Sequence, residues 1–92
     1  MSDVEVILST HLARFAADEA RFRVPGGTCR QVIDQVYERH PSLRQRLSDQ
    51  SGKILPFISV YVGEENIRDL PSLDVEVDPR DAVTIMSAIA GG

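Results

Sequence analysis

The sequence ends on Gly91-Gly92, and the carboxylate they carry is the group with the clearest chemical use. Glycine has no Cβ, so two of them at a terminus add almost nothing to a fold. They form instead a thin tether whose carboxylate can be passed into a narrow active site on another protein. A frayed end is the plain alternative. Cys29 offers a thiol at the start of a predicted helix, where thiolate is favoured. Its place on the apolar stripe of that helix predicts a buried, structural side chain instead. Asp34 with Glu38, and Glu64 with Glu65, have the composition of acid–base pairs, but they fall on solvent-facing or turn positions with no accompanying pocket. His11, read as an exposed loop residue, and His40, at a helix end, share no metal-ligand spacing with each other or with Cys29. No nucleophile, base and orienting group assemble from these residues, so the chain is not expected to be an enzyme or to bind a metal.

Length and composition narrow the field further. A chain of 92 residues makes one small domain, able to bury about 60–65% of its unfolded surface. The ten cationic residues are dispersed, the net charge is −4 and aromatic residues make up 5%. Nucleic acid needs a clustered basic face and stacking rings, and neither is present. A partner with a basic docking surface fits the net charge better. No apolar run reaches membrane-spanning length, and the first residues lack the pattern of a signal peptide, so a cytoplasmic protein is expected. The single cysteine excludes an internal disulfide. Lys53 is the one lysine against nine arginines, hence the one lysine open to modification.

The elements that must position the terminus are legible in order. Val4, Val6 and Leu8 alternate with polar residues as in a strand with one buried face, and Ile7 suggests partial cover on the other. Thr10 to Glu19 breaks the alternation and reads as a long hairpin connection. Ala20, Phe22 and Val24 form the return strand, stopped by Pro25-Gly26-Gly27. Thr28 and Gln31 have capping-box spacing, and Cys29, Val32, Ile33 and Val36 then fall on one helical stripe. The helix should end near Arg39, ahead of Pro41. Leu43 and Leu47 mark a short further turn before a polar loop from Ser48 to Lys53. Ile58, Val60 and Val62 share one face of the next strand, with Phe57, Ser59 and Tyr61 on the other. Glu64-Glu65-Asn66 reads as a turn, Ile67-Arg68 as a brief pairing strand, and Leu70, Leu73, Val75 and Val77 as apolar anchors. Asp78-Pro79-Arg80-Asp81 has type I turn chemistry. The last strand follows, with Val83 and Ile85 inward and Thr84 and Met86 outward.

Two strands, a capped helix and further strands, the last running into a tail, describe a helix packed across a mixed sheet. From Leu12 to Gly92 the sequence resembles the ThiS/MoaD family of ubiquitin-like sulfur-carrier proteins. The likeness is carried by Pro25-Gly26-Gly27-Thr28, by Phe57-Ile58-Ser59-Val60-Tyr61-Val62 with Ile67-Arg68, by Asp81-Ala82-Val83-Thr84-Ile85 and above all by Ala88-Ile89-Ala90-Gly91-Gly92. The strand through Tyr61 and the Ala-Ile-Ala-Gly-Gly ending are most similar to carriers that donate sulfur for cysteine synthesis. Gly63, where the family often has Asn, and Cys29, where it often has Leu, depart from the pattern.

The resemblance implies an α+β, β-grasp fold with four to five strands and one main helix, spanning residues 1–87, and a flexible tail, 88–92. It implies that an E1-like enzyme uses ATP and Mg²⁺ to adenylate Gly92, and that a sulfur donor then leaves a thiocarboxylate there. Ala88, Ile89, Ala90 and Gly91 would thread into that partner, and a sulfur-acceptor enzyme would be the second partner. Molybdopterin, thiamine, cysteine or another thio-metabolite would receive the sulfur. A ubiquitin-like modifier joined through Gly92 to lysines, and a β-grasp interaction module with an idle tail, are the competing readings. Phe57, Tyr61, Thr84 and Met86 form either an exposed docking patch at the root of the tail or, for Phe57, cover for the core.

Overall fold

A computed structural model describes residues 3–88. The elements are β1 (Asp3–Leu8), α1 (Thr10–Ala13), β2 (Arg21–Pro25), α2 (Cys29–Arg39), α3 (Leu43–Leu47), β3 (Ile58–Val62), β4 (Glu65–Asn66), a 3₁₀ turn at Ile67–Asp69, and β5 (Val83–Ser87). The five strands form one mixed sheet in the order β2-β1-β5-β3-β4. β1 and β5 lie parallel, with Val6 opposite Val83 and Leu8 opposite Ile85, while the other neighbours are antiparallel. Strand alternation sends Val4, Val6, Phe22, Val24, Ile58, Val60, Val83 and Ile85 to one face, where they are buried in a common core with Val32, Ile33 and Val36 of α2. This is the β-grasp architecture, with α2 as its main helix.

The start of α2 shows why the helix forms where it does. Four backbone amides at a helix N-terminus lack intrahelical partners, and all four are satisfied here. Gln31 N–H donates to Thr28 Oγ1 at 3.2 Å and Thr28 N–H to Gln31 Oε1 at 2.9 Å, completing the capping box. The N–H groups of Cys29 and Arg30 donate to the carbonyls of Val75 and Leu73, both at 2.9 Å. The segment of irregular apolar anchors is thus a strap across the helix start. Val77 is buried, and Leu70 and Leu73 pack partly buried against the core. Gly27 takes φ +151°, a conformation that side chains with a Cβ rarely adopt, and a Cβ there would also lie 2.3 Å from Gln31 Oε1 and push it off the capping box. At the other end His40 N–H donates to Val36 O, and the helix stops ahead of Pro41.

The structure revises several local expectations. The stretch from Thr10 to Glu19 is not merely a loop. It contains α1 and buries Leu12, Ala13 and Ala16, so it closes one end of the core; His11 is an exposed residue of this helix. Ala17 and Asp18 take positive φ of 53° and 60° where the chain turns back. Glu65–Asn66, not Ile67-Arg68, is the short pairing strand, with Asn66 opposite Tyr61. Ile67 is buried and begins the 3₁₀ turn, whose Arg68 N–H donates to Asn66 Oδ1. Gly63, at φ +62°, is the first central residue of the two-residue turn between β3 and β4, a position that favours glycine in such hairpins. Ser48, expected in a polar loop, is buried, and its hydroxyl hydrogen-bonds the buried Tyr37 hydroxyl. The Asp78–Asp81 turn is closed as expected, by Asp81 N–H to Asp78 O at 2.8 Å.

Candidate functional site

β5 lies between β1 and β3, hydrogen-bonded on both sides, and it delivers the chain to the end of the sheet. The pairing continues one residue beyond it, because Ala88 N–H donates to Phe57 O at 2.7 Å. Ala88, assigned by sequence to the tail, is therefore its anchored, exposed root. Ile89, Ala90, Gly91 and Gly92 lie outside the described residues.

The antiparallel register of β3 and β5 brings the four patch residues together. Tyr61 is opposite Thr84 and Ser59 is opposite Met86, with Phe57 bonded through its carbonyl to Ala88. All stand on the sheet face turned away from α2. Phe57 and Met86 are the exposed large hydrophobic residues of the described structure, and Tyr61 and Thr84 are half-buried beside them. Ile7, level with Thr84 in the parallel pair, is half-buried on the same face. Its signal in the sequence is an apolar residue on the polar side of β1. A second feature escaped sequence reasoning. Phe15, Leu55 and Phe57, with His11 and Arg46, surround a groove of about 180 Å³ next to Ser87. With Ser87 these residues come from four separate stretches, so no local pattern joins them.

The other reactive groups are placed away from this root. Cys29 is buried, and that burial pushes its thiol up from the ordinary value. His40 stacks edge-on against Phe22 with ring centres 5.0 Å apart, and its Nε2 donates to Glu19 Oε1 at 2.8 Å. Arg39 grips the same carboxylate through two bonds of 2.9 Å. The bonds from Arg39, then from His40, hold the Glu19 carboxyl down at about 2. This clamp ties the β1–β2 connection to the end of α2. Asp34 and Glu38 are exposed on α2. Glu64 and Glu65, with Asp69 and Asp81, line a depression of about 920 Å³ at the opposite end of β3 and β5 from the tail. Among the described residues no cluster of three or more His, Cys, Asp or Glu side chains is placed to hold a metal ion. No helix of the described residues is long and apolar enough to cross a membrane.

A model of the ThiS family matches residues 6–92 of this chain. The chain belongs to the ThiS family. The sulfur carrier protein CysO of Mycobacterium tuberculosis is 30% identical to this ThiS-family chain over 92 residues, covering 98% of it and 99% of the relative. Among solved structures, a chain of the Amycolatopsis orientalis BexX/CysO complex is 36% identical with a TM-score of 0.83, covering 97% of this chain and 99% of that one. The small archaeal modifier protein 1 of Haloferax volcanii shares the fold, with a TM-score of 0.82 at 22% identity, over 99% of this chain and 100% of its own.

Proposed function

We propose that this protein is a sulfur carrier whose reactive group is the carboxylate of Gly92. An E1-like enzyme, using ATP and Mg²⁺, would join that carboxylate to the α-phosphorus of ATP with release of pyrophosphate. A sulfur donor would then attack the acyl carbon, expel AMP and leave a thiocarboxylate. A carboxylate is a poor acyl donor until its oxygen becomes part of a good leaving group, and the mixed anhydride survives only where water is excluded. The carrier supplies access and the partner supplies the catalysis, which makes the carrier a substrate rather than an enzyme. In this reading it acts in the cytoplasm, where ATP is available. Resemblance to the CysO carriers favours a cysteine-forming acceptor over a molybdopterin or thiamine enzyme.

The observation that carries this reading is the geometry of β5. A central, doubly paired strand runs directly to Ala88, four residues before a terminus without side chains at its last two positions. Four residues reach at most roughly 14 Å, enough to cross a narrow channel while the sheet stays outside. The exposed face carrying Phe57, Tyr61, Thr84 and Met86 lies beside this root and would dock the activating enzyme. Adding residues beyond Gly92 should abolish ATP–pyrophosphate exchange by that enzyme while leaving thermal unfolding unchanged. The native protein isolated from its own cell should show one oxygen replaced by sulfur in its intact mass. Full exchange activity in an extended chain shown not to be trimmed would refute the proposal, and thiol-stable isopeptide adducts would turn it towards a protein modifier.

A further inference from the structure

In a chain of net charge −4, the groove beside the tail root is lined by an arginine and by no acidic side chain. Acidic side chains outnumber basic ones at the far end of β3 and β5, where Glu64, Glu65, Asp69 and Asp81 line one depression together with Arg80. The groove beside Ser87 has no carboxylate among its lining residues; its walls are Phe15, Leu55 and Phe57, with His11 and Arg46 at the rim. The Arg46 guanidinium lies 4.0 Å from the centre of the Phe15 ring, and His11 meets the same ring edge-on. Arg21, Arg30, Arg39 and Arg80 each bond to a carboxylate; Arg46, like Arg14, Arg23, Arg44 and Arg68, makes no ion pair among the described residues, and of these it is the one that lines the groove. Stacking on an aromatic face holds a guanidinium in place and leaves its N–H donors and its charge unspent.

The size of the groove limits what can fill it. At about 180 Å³ it falls well below the roughly 300 Å³ at which small-molecule sites begin, yet it has room for a protein side chain. It is also continuous with the exposed sheet face through Phe57, which belongs to both. An apolar slot beside an unneutralised arginine is complementary to an apolar side chain flanked by a carboxylate.

We infer that this groove receives an apolar side chain of the activating enzyme, with an adjacent Asp or Glu of that enzyme pairing with Arg46. The inference rests on the sulfur-carrier reading and adds to it the sign of the partner's charge at the entrance to its channel. That sign is acidic, although the net charge of −4 alone favours a basic partner surface. The contact seats the root of the tail before the carboxylate reaches the nucleotide, so it contributes to recognition and not to the chemical step.

The test is ATP–pyrophosphate exchange by the E1-like enzyme of the same organism, measured against the concentration of full-length carrier. Arg46→Glu should raise the KM for the carrier roughly tenfold or more, and Arg46→Gln a few-fold, with kcat little changed. Raising the salt concentration should raise the KM of the unaltered protein more steeply than that of Arg46→Gln. Arg46 is exposed, so both variants should keep the unfolding temperature of the parent. An unchanged KM in Arg46→Glu would overturn this inference and leave the sulfur-carrier reading intact. Absence of exchange with the unaltered protein would overturn that reading and this one with it. A dimer in sedimentation that Arg46→Glu dissolves would assign the groove to a second copy of the chain and overturn the partner assignment.

Discussion

β3 and β5 present two faces that differ in everything but their backbone. Towards α2 they place Ile58, Val60, Val83 and Ile85, each 2% exposed or less; away from it Phe57 and Met86 are 38% and 39% exposed. The residues alternate along the same strands, so neighbours in sequence serve opposite purposes. Burial on the inner face contributes to stability roughly in proportion to apolar area removed from water. The outer face leaves apolar area in water that a docked protein would remove. In the sulfur-carrier reading, holding the tail and docking the partner would therefore fall on alternate residues, so that each should be alterable with the other left nearly intact.

The sharpest way to break this division is an inner-face truncation. Ile85→Ala deletes a side chain from the centre of the core and should cost about 3 kcal/mol of stability, read from the urea midpoint, while the folded fraction still binds the activating enzyme normally. A large loss of affinity in the folded protein would mean that the two faces are coupled. Next in size is the outer-face change. Met86→Asp should weaken the complex with the activating enzyme roughly tenfold in a titration, at a cost in stability of about 1 kcal/mol or less. Unchanged affinity would remove the patch from the docking surface.

The smallest effect is expected from the ionic clamp outside both faces. Glu19 has its carboxyl lowered to about 2 from an ordinary 4.5 by Arg39 and then His40. A group with a depressed folded value stabilises fully above its unfolded value and loses that contribution as the pH falls through the folded one. The clamp should thus weaken between about pH 4.5 and about pH 2. Since the Arg39 and Glu19 side chains are 44% and 36% exposed, solvent screens the pair and the loss should be slight. Urea midpoints taken across that range should fall less steeply for Glu19→Gln than for the unaltered chain. Identical slopes would show that the clamp contributes nothing and leave the inner face as the source of stability.

Much of this molecule can be read without coordinates because its signals are local. The alternation in β1, β3 and β5, the Thr28–Gln31 capping box and the stripe from Cys29 to Val36 each require only the period of one element. The misread segments are those in which tertiary contacts outweigh local pattern. Leu12, Ala13 and Ala16 are too short a run to announce α1, and they are held by the core that they close. Asn66 looks like a turn residue, yet it both pairs with Tyr61 and caps the following 3₁₀ turn.

The pattern of residues alone tells which face of β1, β2, β3 and β5 is buried, where the main helix begins and ends, and that Gly91 and Gly92 follow the last strand. Those properties depend on residues within a turn or a few residues of one another. Tertiary contacts set the place of β5 between β1 and β3, the bonds from the Cys29 and Arg30 amides to the strap at Val75 and Leu73, and the meeting of Phe15, Arg46 and Phe57 beside the root of the tail. These contacts join segments far apart in the chain. Their formation depends on which apolar surfaces cover one another after collapse, and the period of a single segment carries no record of that choice.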